Sequence, residues 1–303
     1  MKNRRLTLFT LPFKALGSLC ELKLYLPSQK VAADILSSVV SVVNSYQAKY
    51  SRYDPNSLVS IINSSAGSGR CIPIDEETSQ LLDYANVLYE QSDGLFDITS
   101  GILRKAWDFK SNTLPSQSEL DLLVKHIGWN KVKRKEGRIC LPYHEMEIDF
   151  GGFVKEYIAD AIANHCVSLG VVHGLVNLGG DIHVIGPHLN SEPWVIGITH
   201  PRQCNKAITS ICVSKGGIAT SGDYERFMVV DGVRYCHILN PLTGTSILPK
   251  FASISVVADS CLVAGSFSTS AMLKSHSDNE WIKESSLPYV TVCQSLKVNK
   301  ERL

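Results

Sequence analysis

From Arg138 onward the chain breaks into short apolar runs separated by Gly and Asn, and this rhythm narrows the possible folds more than any other feature. Ile139 to Leu141, Met146 to Phe150, Leu175 to Leu178, Ile182 to Ile185, Trp194 to Ile198 and Phe227 to Val230 have strand length, too short for stable helices and bounded by turn formers. In this half only Val154 to Leu169, ending at Gly170, and Leu262 to Leu273 read as helices. Earlier in the chain the period is helical. Ser28 to Tyr50 sets Val31, Ile35, Val39, Val43 and Tyr46 on one face after Pro27, and Leu81, Leu82, Ala85, Leu88 and Tyr89 follow the acidic turn Asp75-Glu76-Glu77. Ser116 with Glu119 has the form of a capping box before Leu120 to Ile127. A helix-rich first half and a strand-rich second half predict an α+β fold of mixed or antiparallel sheets with packed helices, one domain over residues 1–303.

A chain of 303 residues with 44% hydrophobic and 19% charged residues can bury an ordinary core, which excludes disorder as its main state. Lys plus Arg is 30 against 29 for Asp plus Glu, too little positive excess to grip nucleic acid. No apolar run reaches the roughly 18 residues of a membrane span, since Lys14 and Glu21 interrupt the one candidate. Met1 to Cys20 has the outline of a secretory signal, but Pro12 and Lys14 spoil it and Ser18-Leu19-Cys20 lacks a lipoprotein cleavage site, so a cytoplasmic location is expected. The nine Cys are odd in number, with no C-x-x-C pair and no zinc spacing; they read as reduced, small core residues. Lys131 to Lys135 is a basic run best read as a solvated hairpin edge.

Four clusters carry more polar chemistry than a core needs. Asn177-Leu178-Gly179-Gly180-Asp181 follows an apolar strand, and its paired Gly permit close backbone approach to a ligand or a bulged hairpin equally well. Ala219 to Arg226 reads as a turn between strands that exposes backbone N–H groups and hydroxyls, suited to a phosphate or to simple chain reversal. His237 to Gly244 places a His at the exit of a strand, for proton transfer, pyrophosphate contact or a structural role. Asp149 to Lys155 reads as strand, Gly pair and helix N-terminus, an arrangement that favours anionic oxygens, although P-loop and Rossmann spacings are absent.

In order along the chain, these clusters resemble the ApbE family, the FAD:protein FMN transferases. Ala15-Leu16-Gly17-Ser18 is similar to that family's opening Met-Gly-Thr, and Ser51-Arg52-Tyr53 with Ser57 and Asn63 to its next stretch. Phe96-Asp97-Ile98-Thr99 and Trp107-Asp108-Phe109 follow, then Lys155 with Tyr157 and Asp160, then the other three clusters. The resemblance implies transfer of FMN from FAD, with Mg2+, onto a Thr or Ser of an acceptor flavoprotein, with release of AMP. It implies FAD contacts at Leu16, Tyr53, Trp107, Asp108, Phe109, Lys155, His237 and Ile238, with aromatic packing from Tyr53, Trp107 and Phe109. His237 is then the candidate for taking the acceptor's proton or for orienting the phosphate, and Lys155 with the metal for neutralising the pyrophosphate.

The metal ligands implied are the Gly152 carbonyl and Thr269, with an Asp four residues before that Thr. Here that position is Gly265, so a carboxylate ligand is missing and weaker Mg2+ binding is expected, to be tightened by Gly265→Asp. Asn240 stands where the family usually has Asp, and Glu156 where Gly is common; Glu156 reads by default as a solvent-facing helix residue, with a compensating charge for the missing Asp as the alternative. These departures leave FAD hydrolysis or non-catalytic FAD binding as the alternative activities.

Overall fold

The computed structural model describes residues 5–203, 205–275 and 281–303. The chain opens with the hairpin β1 (Thr7–Ala15) and β2 (Ser18–Leu26), followed by α1 (Gln29–Tyr50), α2 (Leu58–Ser64), β3 (Ile72–Pro73) and α3 (Glu76–Gln91). A 3-10 helix over Ile98–Lys105, α4 (Gln117–Val124), β4 (Lys133–Lys135) and β5 (Arg138–Cys140) lead to α5 (Val154–Ser168). Next come β6 (Gly174–Leu178), β7 (Asp181–Gly186), β8 (Trp194–Thr199), β9 (Ala207–Val213), β10 (Gly216–Gly222), β11 (Phe227–Val230) and β12 (Val233–Cys236). The chain closes with β13 (Phe251–Ala258), α6 (Cys261–Lys274), α7 (Trp281–Glu284), β14 (Tyr289–Cys293) and β15 (Val298–Glu301).

Eight strands form one sheet in the order β1-β2-β6-β7-β10-β13-β14-β15, every neighbouring pair antiparallel. Successive side chains alternate between its faces. Val176, Leu178, Ala219, Ile254 and Val256 join the main core with α1, α5 and α6. Leu175, Ile182, Val184 and Ile218 meet Trp194, Ile196 and Ile211 of the β8–β9 hairpin on the other face. The fold is thus the α+β arrangement expected, with helices on one side of an antiparallel sheet.

The predicted helices form, with Ser28, Asp75 and Ser116 as N-caps and the Ser116–Glu119 capping box intact. Lys133–Lys135 is an edge strand of a small three-stranded sheet, as expected for the basic run. Three strand assignments need correction. The first half is not only helical: Thr7–Ala15, taken for a broken signal outline, is the edge of the large sheet, where Pro12 removes no ladder bond on its open side. Met146 to Phe150 is extended but unassigned to a sheet, because the Asn63 side-chain amide satisfies Ile148 in both directions, at 2.8 and 3.0 Å. Ala219 to Gly222 lies within β10 rather than in a turn.

The reading of all cysteines as reduced is also corrected. Cys71 and Cys140 form a disulfide between the chain entering β3 and the end of β5. The bridge ties residues 69 apart in sequence, a constraint worth about 2–4 kcal/mol through loss of unfolded-state entropy. Dithiothreitol should lower unfolding stability in urea by that amount, and Cys71→Ser/Cys140→Ser should show the same loss while becoming insensitive to the reductant.

Candidate functional site

Helix α5 organises the site because each face of its first turns has a different task. Residues two apart on a helix lie about 200° apart, so Lys155 and Tyr157 cannot serve one ligand. Tyr157 points back to α3, where its hydroxyl donates to Glu77 at 2.9 Å alongside Tyr46 and Lys49 of α1. Lys155 points to the sheet and pairs with Asp181 at 2.6 Å. Five residues on, Asp160 meets His183 at 2.5 Å. The spacings agree: five helical residues rise about 7.5 Å and two strand residues about 6.8 Å, so α5 and β7 stay in step over both contacts.

Asp160 also accepts the backbone N–H groups of Cys261 and Leu262 at 2.7 and 2.9 Å, anchoring the N-terminus of α6. From there α6 runs over β10, and Thr269 reaches Ser221, with the two hydroxyls 2.9 Å apart. The Gly179–Gly180 turn brings the β1–β2 hairpin alongside, since a Cβ on Gly179 would lie 2.8 Å from that of Ser18. Leu16 sits in this hairpin at φ 52°, its N–H held by Gln47.

Electrostatics bind the remaining loops to this centre. Burial pulls the Lys155 ammonium down, but the charge and hydrogen bond of Asp181, helped by Glu156 and Glu225, raise it overall, so it stays protonated. Asp181 is 6% exposed, and burial lifts its carboxyl above the usual range despite Lys155. Glu225 is followed by Arg226, whose carbonyl accepts the His237 N–H at 2.9 Å and whose charge acts on both His237 and Tyr53. His237 Nδ1 is buried with no hydrogen-bond partner among the described residues. Burial lowers its basicity below the ordinary imidazole value, and the Arg226 charge adds to this.

The other predicted residues divide. Tyr53 is 76% exposed, and its hydroxyl accepts from Arg52, which also pairs with Asp149. Gly152 is exposed just before α5. Trp107 is only 6% exposed, donates to the Gly244 carbonyl at 2.8 Å and stacks on Phe109 in a satellite core with Leu103 and Met228. Its ring therefore positions the His237–Gly244 loop and leaves little surface for a ligand. Asp108 is exposed and accepts from Lys110 in its own turn, while Ile238 is buried behind His237. Asp223, central to its cluster, is taken by a two-pronged pair with Arg202. Asn240 accepts the Leu242 N–H at 2.9 Å, a turn bond that an Asp oxygen makes equally, so this departure leaves the loop intact.

Glu156 overturns its expected placement. It is 9% exposed and packs against α6. Burial first, then the charge of Asp181, push its carboxyl well above the usual range. A Cβ on Gly265 would lie 2.5 Å from Glu156 Cγ. Gly265→Asp alone would therefore displace Glu156 rather than fill free space, contrary to the simple rescue expected from sequence. Ser221 and Glu225 entered the sequence reading only as members of the Ala219 to Arg226 cluster; the part Ser221 plays is visible once Ala219 to Gly222 is recognised as a strand whose alternate residues face α6.

A model of the ApbE family matches residues 16–292. The chain belongs to the ApbE family. A Chlamydia pneumoniae protein named FAD:protein FMN transferase is 31% identical over 252 residues, covering 81% of this chain and 78% of that protein. A Vibrio cholerae protein of the same name is 28% identical over 206 residues, and the match spans 61% of its length and 66% of this chain. The crystal structure of the ApbE protein of Thermotoga maritima superposes with a TM-score of 0.87 at 30% identity, over 98% of this chain and 97% of that one. The ApbE fold thus accounts for the sheet order and for the convergence of loops around α5.

Lys155→Met leaves the Asp181 carboxylate buried without its cation. Because Lys155 remains partly exposed, the expected destabilisation is about 2 kcal/mol, below the figure for a fully buried pair. Adding Asp181→Asn should recover most of it in urea unfolding.

Proposed function

We propose that this protein transfers FMN from FAD to a Thr or Ser hydroxyl of an acceptor flavoprotein, releasing AMP. The observation that carries the reading is the neutral, buried His237 imidazole with an unpartnered Nδ1, joined through Arg226 and Glu225 to the Lys155–Asp181 pair. The acceptor oxygen forms a bond to the phosphorus of the FMN half, and the bond from that phosphorus to the bridging oxygen breaks. AMP leaves with the bridging oxygen, and the proton of the attacking hydroxyl passes to His237. Such chemistry asks chiefly for alignment and charge neutralisation.

Lys155 supplies fixed positive charge beside the phosphates, and its pairing with Asp181 holds the ammonium in one place. Helix α5 has no side-chain cap; its Val154 N–H donates to the Phe150 carbonyl and that of Glu156 to its own carboxyl, which leaves the Lys155 N–H to receive anionic oxygen. Tyr53, with its exposed ring, and the Leu16 hairpin offer flat and apolar contact for the ring systems. Phe109 stacks on Trp107, which holds the loop after His237 through the Gly244 carbonyl. Mg2+ would be held by the Gly152 carbonyl and the Thr269 hydroxyl with a carboxylate close by, and it supplies charge to the pyrophosphate oxygens. The buried Glu156 carboxyl, which fills the place a side chain at Gly265 would take, gives such an ion a charged oxygen ligand.

Among the described residues no helix is long and apolar enough to cross a membrane. The cytoplasmic location expected from the N-terminal segment is opposed by the Cys71–Cys140 disulfide, which persists in oxidising compartments. Thiol trapping of the protein in fractionated cells decides between them.

Incubation with FAD, Mg2+ and an acceptor domain should leave flavin fluorescence on the denatured acceptor. His237→Ala should slow labelling about 100-fold or more, as loss of a general base does. Since His237 titrates below the ordinary 6.5, the base form persists below that pH, and the acid limb of the rate profile should lie lower than 6.5. A loss under threefold, or an acid limb retained in His237→Gln, removes His237 from the proton transfer.

A further inference from the structure

Helices α5 and α6 pack in opposite directions, in matching steps of four residues. Asp160 meets the backbone at Cys261, and one step away Glu156 meets Gly265, with its Oε1 2.6 Å from where a Cβ would stand. One step further along α6 stands Thr269, and just before the start of α5 stands Gly152, the two residues proposed above for the cation. Glu156 is 9% exposed; its own backbone N–H donates to its carboxylate, and among the described residues no side chain forms an ion pair with it. The charges around it are Asp181 and Asp160, which repel, and Lys155, which is already engaged with Asp181. A buried carboxyl with only its own N–H as donor, among acidic neighbours, keeps its negative charge when a cation completes the arrangement and otherwise takes up a proton.

We propose that Glu156, reaching from α5 across the space left at Gly265, supplies the carboxylate that holds a hard divalent cation in this chain. Hard cations take carboxylate, carbonyl and hydroxyl oxygens together, the donor set that Glu156, Gly152 and Thr269 provide. Gly265 is then the counterpart of Glu156 rather than a loss. With no side chain at 265, the longer Glu side chain on the facing helix occupies the position from the opposite side. The role of the cation rests on the FMN-transfer reading, but its binding is measured apart from it.

The test is titration of the full chain with Mn2+, following the electron paramagnetic resonance signal of free metal. Wild type should bind one ion, and Glu156→Gln should weaken binding at least tenfold without lowering the melting temperature in EDTA. The exchange Glu156→Gly/Gly265→Asp, which moves the carboxylate to α6, should bring affinity back to within about threefold of wild type. Unchanged Mn2+ affinity in Glu156→Gln, or no binding by wild type, overturns the proposal. Should Glu156→Gln fail to fold, the double exchange decides: recovered affinity supports the proposal, and a folded double variant that binds no Mn2+ overturns it. FAD binding without metal, read by flavin fluorescence quenching, separates the two readings. FAD bound by a protein that ignores Mn2+ defeats this inference alone, whereas Mn2+ bound by a protein that ignores FAD defeats the transferase reading alone.

Discussion

The Asp160 carboxylate fixes the relation of three elements on which the site depends. It stands on α5, takes two backbone N–H groups at the start of α6 and meets His183 on β7. A carboxylate at a helix N-terminus is favoured by the helix dipole, and here the same oxygens also reach the sheet. With α6 anchored at that end and laid over β10, Thr269 comes to Ser221 and Gly265 comes to Glu156. With α5 in step with β7, Lys155 comes to Asp181. One side chain thus sets the relative placement of most groups of the site.

The centre assembled this way is rich in charge and largely buried. Asp181, Glu156 and Lys155 are held close together with one cation among them. Such a set is stable when further positive charge or an anionic ligand with its counter-ion completes it. His237 follows the opposite logic: burial and a nearby Arg keep its imidazole neutral, able to accept a proton. In the proposed reaction the acid–base and charge-neutralising roles would therefore be separated by environment rather than by residue type.

Much of the family pattern proves to serve architecture. Asp97 caps the 3-10 helix through Thr99 and accepts from Trp129, Tyr157 joins α5 to Glu77, and Trp107 fastens the loop after His237 through Gly244. The order of these residues in the sequence was readable, and so were the helices and the exit of His237 from a strand. Which of them face a ligand was not, because facing depends on helix phase and on partners distant in sequence. The β1–β2 hairpin shows a different failure: alternate burial of Cys20, Leu22, Leu24 and Leu26 was present as a period of two, but the basic head before it resembled a targeting segment.

By itself the sequence determined the α+β class, the helix caps, the absence of a P-loop or Rossmann phosphate motif and the ordered polar clusters that match the ApbE family, because these depend on local period, capping chemistry and spacing. Tertiary structure alone decided that Cys71 meets Cys140 and that Asp149 pairs with Arg52. It alone also turned Glu156 inward onto Gly265. Those outcomes follow from how helices and strands pack across long separations in the chain, where burial and the space left by a missing side chain set a residue's role.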